Sequence, residues 1–288
     1  MHNVIAFANG KGGVGKTSLT ANFAGLAAAS GWRVLAVDLD PQGNLGADLG
    51  YDRTDQGDDG RELIEAIIHQ RRPRPIQAVR TNLDVVAGGA ALDQFVERVA
   101  RDATSNRLQA VRRPLSALAN DYDLVVLDCP PTGGIVLQTM LAAAAFVVVP
   151  TRRDLASMQG LTRVAREFAA VRSTVNPDLR LLGVVLFEFA AQDTRLLAET
   201  RGMLEERLSS IAPVFEGFVR QARRASSEMR RLGMLAHEYD EATRAPGARR
   251  LAGSVVGLAA DYRQITEAIL EEYGRRTVPV AADPWSAA

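Results

Sequence analysis

The stretch Val4-Ile5-Ala6-Phe7-Ala8-Asn9-Gly10-Lys11-Gly12-Gly13-Val14-Gly15-Lys16-Thr17 decides how this chain is read. It opens on a short apolar run, passes through a glycine-rich turn, and leads into an Ala- and Leu-rich helical segment from Thr17 to Ser30 that Gly31 stops. Gly10 to Thr17 satisfies G-x-x-x-x-G-K-[ST] between a strand and a helix, where the pattern carries its mechanism. Glycines let the backbone curl until successive N–H groups point at phosphate oxygens, and the following helix adds its positive end. A nucleoside triphosphate with Mg²⁺ is the expected ligand. The residues expected to hold it are Gly10, Lys11, Gly12, Gly13, Val14, Gly15, Lys16, Thr17 and Ser18, with Lys16 on the β and γ phosphates and the Thr17 hydroxyl on the metal.

Outward from the loop, apolar runs recur at Arg33 to Asp38, Leu83 to Ala87, Leu124 to Leu127, Phe146 to Val149 and Leu181 to Phe187. Each is bounded by polar, Pro or Gly residues, the pattern of strands buried on both faces. Helical patterns separate them over Leu63 to His69, Ala91 to Leu118, Thr132 to Ala143, Leu155 to Val175 and Arg195 to Ser209. This alternation predicts an α/β fold, a doubly wound, mostly parallel sheet with helices on both faces, as in P-loop NTPases. Residues 1–276 read as a single domain and 277–288 as a flexible tail, while the Asp- and Gly-rich Tyr51 to Gly60 reads as a mobile loop.

Composition is that of an ordinary globular chain: 47% hydrophobic, 24% charged and net charge zero over 288 residues. Neutrality argues against a protein that coats nucleic acid over its whole surface, so any such surface must be local. Single Cys129 leaves no pair for a disulfide, zinc ribbon or iron–sulfur cluster within the chain, which fits a reducing, cytoplasmic setting. It reads as a buried core thiol. His2, His69 and His237 lack metal-ligand spacing and read as surface or packing residues. Neither a secretory signal nor an 18-residue apolar span is expected.

Of the 34 basic residues only Lys11 and Lys16 are lysines. Two lysines scattered over 34 positions would both land in this loop about once in several hundred trials. The selectivity has a cause, since a compact ammonium fits among phosphate oxygens where a planar guanidinium is too broad.

Lys11-Gly12-Gly13-Val14-Gly15-Lys16-Thr17, with a second lysine inside the loop, resembles the deviant Walker A motif of the ParA/MinD ATPases. Asp38-Leu39-Asp40-Pro41-Gln42-Gly43-Asn44 is similar to the ParA version of the segment after the second strand, and Leu124 to Pro131 to the Walker B strand and its switch. The resemblance implies ATP as the nucleotide and a homodimer formed with ATP, in which Lys11 of each subunit reaches the phosphates of the other. It gives Lys11, Lys16 and Asp40 catalytic parts. Asp40 would orient the attacking water or share the Mg²⁺ shell, and Asp128 would hold the metal through a water. Asp38 is a further carboxylate of the same segment. The adenine pocket stays unassigned, because Gly217-Phe218-Val219-Arg220 and Glu188-Phe189 depart from the family pattern.

Between Arg220 and Arg231 stand Arg220, Arg223, Arg224, Arg230 and Arg231 against one acid, Glu228. In ParA-like proteins the corresponding region grips DNA phosphates without reading sequence, which would place the protein on the nucleoid. The implied partners are nonspecific double-stranded DNA and a ParB-like activator of hydrolysis, with no membrane. Three residues before the first strand leave no room for an N-terminal helix-turn-helix, so operator-specific binding is not expected. The clusters Arg71-Arg72-Pro73-Arg74, Arg112-Arg113 and Arg152-Arg153 read as loops and solvated helix ends. Three rivals remain at this point: a MinD-like membrane-cycling ATPase, which would need a basic amphipathic C-terminal helix, a metabolic ATP-dependent ligase of the same fold, and a switch that binds nucleotide but hardly hydrolyses it.

Overall fold

The structure is a computed structural model that describes residues 1–101, 105–208, 211–244 and 254–277. Its strands are β1 (Val4–Phe7), β2 (Val34–Asp38), β3 (Ile76–Arg80), β4 (Leu83–Val86), β5 (Leu124–Asp128), β6 (Phe146–Thr151), β7 (Arg180–Phe189) and β8 (Val219–Arg220). Among the described residues they form one eight-stranded sheet in the order β3-β4-β2-β5-β1-β6-β7-β8. Every pairing is parallel except β3 with β4, which closes one edge antiparallel. The glycine-rich loop leaves the end of β1, in the centre of the sheet, between strands β5 and β6.

Helices α1 (Lys16–Ala29), α2 (Asn44–Leu49), α9 (Arg223–Leu232), α10 (Ala236–Arg244) and α11 (Ser254–Thr277) contribute to the core on one face. Helices α3 (Arg61–His69), α4 (Asp93–Arg101), α5 (Arg112–Ala119), α6 (Gly134–Ala143), α7 (Leu155–Thr174) and α8 (Thr194–Leu208) contribute to the other. Alternation along the central strands divides the two cores: Ile5 and Phe7 face the first, Val4, Ala6 and Ala8 the second. Both faces being covered, the strands carry no polar alternation, and that is why they read as continuous apolar runs.

The helix expected over Ala91 to Leu118 is divided. A short 3-10 turn at Ala90–Leu92 leads into α4, a second at Ser105–Gln109 follows, and α5 starts afresh at Arg112. Pro114 sits in the first turn of α5, where its missing N–H costs nothing; inside one continuous helix it would have removed a hydrogen bond and crowded the preceding turn. Tyr51 to Gly60 is irregular, but it opens on a 3-10 turn anchored by the buried Tyr51. Of the tail expected from 277 onward, Thr277 closes α11 and the rest lies outside the described residues, as does Ser209. Cys129 is buried, His2 and His69 are exposed and His237 is half-buried. No helix among the described residues is long and apolar enough to cross a membrane.

Candidate active site

Just beyond β1, Asn9 shapes the loop. Its amide donates to the carbonyl of Pro150 in β6 at 2.8 Å, and its Oδ1 accepts from the Lys11 N–H at 2.9 Å, which pins the loop to the neighbouring strand. Gly12 and Gly13 are exposed, while Val14 is buried and anchors the loop in the core. Gly15 has φ +87°, and a β-carbon there would stand 2.2 Å from the ring of Phe187, so both the turn and its neighbour require glycine. Helix α1 begins at once with Lys16 and Thr17.

Lys16 is buried, with its Nζ donating to the Lys11 carbonyl at 2.9 Å. Burial lowers its pKa, and the neighbouring carboxyl groups of Asp128 and Asp40 oppose that fall. Asp128 ends β5, is fully buried, and pairs in register with Asp38 of β2 and Phe7 of β1. Neither of its oxygens has a well-formed hydrogen bond. Burial, and then repulsion from Asp38, raises its pKa, while Thr17 and Lys16 pull the other way. An unpartnered buried carboxylate is costly unless a cation answers it. A hydrated divalent ion beside the Thr17 hydroxyl fits that need. Among the described residues no three acidic, His or Cys side chains cluster into a self-sufficient metal site. The ion would therefore need phosphate oxygens as well, which is how Mg²⁺ is usually held.

Asp38 and Asp40 divide the work of their turn. Asp38, fully buried, accepts from the N–H of Asp40 at 2.9 Å and of Leu45 at 3.2 Å, which holds the start of α2 against β2. Burial pushes its pKa up to about 7. Asp40 accepts from the Gln42 N–H at 2.9 Å and lies close enough to Lys16 to act on its charge. Lys16, Thr17, Asp40 and Asp128 thus lie together at the ends of β1, β2 and β5, and Lys11 sits on the same loop with its ammonium turned to Asp154 at the start of α7. Ser18 lies on the far side of α1's first turn and lines a small crevice with Asn22, Asp48 and Arg230.

Several residues of the site were missed from sequence. The ammonium of Lys11 pairs with Asp154 and lies 3.3 Å from the Ser157 hydroxyl. Asp154 caps α7, accepting from the Ser157 N–H at 3.0 Å and hydroxyl at 2.8 Å. Burial pushes its carboxyl upward, but Lys11 and Ser157 outweigh it and hold the group well below the usual carboxylate range. The Asp-x-x-Ser spacing before an apolar helix was a readable capping signal. Arg152 is not a solvated helix end: it donates to the Gly13 carbonyl at 3.1 Å and pairs with Glu188, whose φ of +58° is unusual for a residue with a side chain.

The basic cluster falls on β8 and α9, and its members differ. Arg220 is held by Asp261 of α11 through bonds of 2.6 and 2.7 Å, and Arg230 by Asp48 of α2 at 2.6 Å. Both are occupied in tying the fold together. Arg223, Arg224 and Arg231 are exposed, with Arg231 3.6 Å from Glu228.

The AAA domain family AAA_31 matches residues 2–181. The chain is 32% identical over 217 residues to the chromosome partitioning protein ParA of Myxococcus xanthus, spanning 72% of this chain and 74% of that one. The solved cobyrinic acid a,c-diamide synthase of Mycobacterium smegmatis, with bound ADP and magnesium, has a TM-score of 0.70 at 26% identity and covers 94% of this chain and 95% of its own. A Cyanothece McdA–ATP complex has a TM-score of 0.76 at 18% identity over 94% and 96% of the two chains, a likeness of fold.

Proposed function

The chain belongs to the AAA_31 family and is a P-loop ATPase of the ParA type, and from that premise we propose that it is a cytoplasmic partition switch: ATP with Mg²⁺ drives dimerisation, the dimer holds nonspecific DNA on the nucleoid, and a ParB-like partner stimulates hydrolysis. The observation that carries this reading is the placing of two lysines and the buried Asp128, whose oxygens make no well-formed hydrogen bond, around one phosphate loop. Lys16 binds the phosphates from within the loop. Thr17 would hold the Mg²⁺ directly and Asp128 through a water, and the ion would supply charge neutralisation at the phosphates. Asp40 orients the attacking water. Lys11, only 29% exposed and now paired with Asp154, must exchange that partner to serve a neighbouring subunit.

Arg223, Arg224 and Arg231 supply the DNA surface, and Arg220 and Arg230 support it through Asp261 and Asp48. Each phosphate neutralised contributes about −0.9 to the slope of log affinity against log salt. Three arginines per subunit give a slope of roughly −3, and two subunits about twice that. A metabolic ligase, suggested by the synthase likeness, would need an acceptor pocket beside the phosphates. A cavity of about 400 Å³ lined by Arg112, Asn176 and Arg180 lies at the other end of the sheet, where β6 and β7 begin. Co-sedimentation with random-sequence duplex DNA tests the switch. Wild type should bind with ATP and not with ADP, Lys11→Ala should lose ATP-dependent binding, and Asp40→Ala should retain it longer. Equal binding with ATP, ADP and no nucleotide would defeat it.

A further inference from the structure

Arg163 lies on α7, two turns beyond the Asp154 cap, and is exposed. Its stem runs between two glycines of the phosphate site. A β-carbon at Gly10 would meet its Cδ at 3.0 Å, and one at Gly133, in the turn after Asp128, would meet it at 2.7 Å. The methylenes thus fill the space where the loop and the switch segment come together, and either side chain would evict them. The guanidinium at the end of that stem has no hydrogen bond or ion pair among the described residues.

Its natural partner is close but engaged elsewhere. Glu167 is one helical turn on, at the i+4 position where such pairs form. It is buried, and accepts instead from the Gly134 N–H at 3.0 Å and the Gln138 amide at 2.6 Å, at the start of α6. The other cations touching the loop are spoken for as well: Lys11 by Asp154, Arg152 by Glu188, and Lys16 by the Lys11 carbonyl. One positive charge is therefore left uncompensated where the loop's first glycine meets the segment that follows the metal-side carboxylate.

We propose that Arg163 is a further nucleotide-binding residue, a cation that contacts the terminal phosphate in its own subunit and makes the site favour a triphosphate over a diphosphate. The inference rests on the phosphate-loop reading above. A guanidinium suits the task, because its planar fork offers two parallel N–H donors to one phosphoryl group and keeps its charge at any working pH. Contact with both Gly10 and Gly133 would also link terminal-phosphate occupancy to the position of the 130–133 turn.

Calorimetry with a nonhydrolysable ATP analogue plus Mg²⁺, and separately with ADP plus Mg²⁺, tests the idea on wild type, Arg163→Met and Arg163→Lys. Methionine keeps most of the apolar stem and removes the charge; lysine keeps the charge without the fork. The expected result is a loss of about tenfold in affinity for the triphosphate in Arg163→Met with ADP affinity changed less than twofold, a smaller loss in Arg163→Lys, and the same nucleotide-free melting midpoint in all three. Equal losses for both nucleotides, or no loss for either, would overturn the role of Arg163 and leave the phosphate loop standing. A wild type that bound neither nucleotide would overturn the site as a whole, and Arg163 with it.

Discussion

At the scale of single residues the site is built against its own stability. Asp38 and Asp128 are both fully buried, face each other in register, and have pKa values raised by burial. A carboxyl whose folded pKa lies above its unfolded value binds protons more tightly in the native state. Its favourable contribution is complete below the unfolded pKa and is lost as pH rises through the folded one, near 7 for Asp38. Nucleotide-free protein should therefore weaken between about pH 4 and pH 8 from this pair alone. Asp128→Asn removes one buried charge and its repulsion of Asp38. It should melt about 2–4 °C above wild type at pH 8, with the difference shrinking toward pH 5, while losing the Mg²⁺ dependence of nucleotide binding. Thermal scans across pH, with and without Mg²⁺ and nucleotide, measure both arms. A variant less stable than wild type at pH 8 would show that Asp128 is satisfied in the nucleotide-free fold.

Between elements, the decisive contact joins α2, which continues the Asp40 turn, to α9, which carries the exposed arginines. Asp38 holds the first turn of α2 through the Leu45 N–H, Asp48 near its end pairs with Arg230, and the backbones of Gly50 and Gly233 meet so closely that a β-carbon at Gly233 would lie 2.4 Å from the Gly50 Cα. Arg230 and its helix neighbours thus differ in kind. Arg230→Ala leaves the nearly buried Asp48 unpaired and should cost roughly 1–3 kcal/mol. Arg223→Ala with Arg224→Ala should cost under about 0.5 kcal/mol in stability while weakening binding to every DNA sequence and flattening its salt slope. Urea unfolding and salt-dependent DNA titration separate the two, and an Arg230→Ala protein of wild-type stability would return that residue to the DNA surface. Sequence alone could not sort these arginines, because it records five like charges and none of their partners. The central strands, the loop and Asp40 with Asp128 were legible, since continuous apolar runs and a fixed glycine spacing are local properties of the chain. By contrast the two-residue β8 and the partner of Lys11 depend on long-range neighbours: Asp154 stands 143 residues from the lysine it holds.

For the whole molecule, zero net charge means that no long-range field gathers DNA, so affinity must come from a small patch used more than once. That places the weight of the proposed switch on dimerisation, which stability can report. A ligand that binds only the native state stabilises it by RT ln(1 + [L]/Kd), about 2.7 kcal/mol at a hundredfold excess over Kd, or roughly 5 °C or more in a chain of this size. Such a gain is independent of protein concentration in a monomer; a nucleotide-dependent dimer adds a term that grows with it. The nucleotide-dependent rise in melting midpoint should therefore increase with protein concentration under a nonhydrolysable ATP analogue and stay constant under ADP. Lys11→Ala keeps Lys16, Thr17 and Asp128, so it should retain the constant part and lose the concentration-dependent one. If wild type showed the same midpoint over a hundredfold range of concentration with the analogue, the paired-subunit scheme would fail. Lys11 would then be a lysine held by Asp154 for the sake of the loop alone.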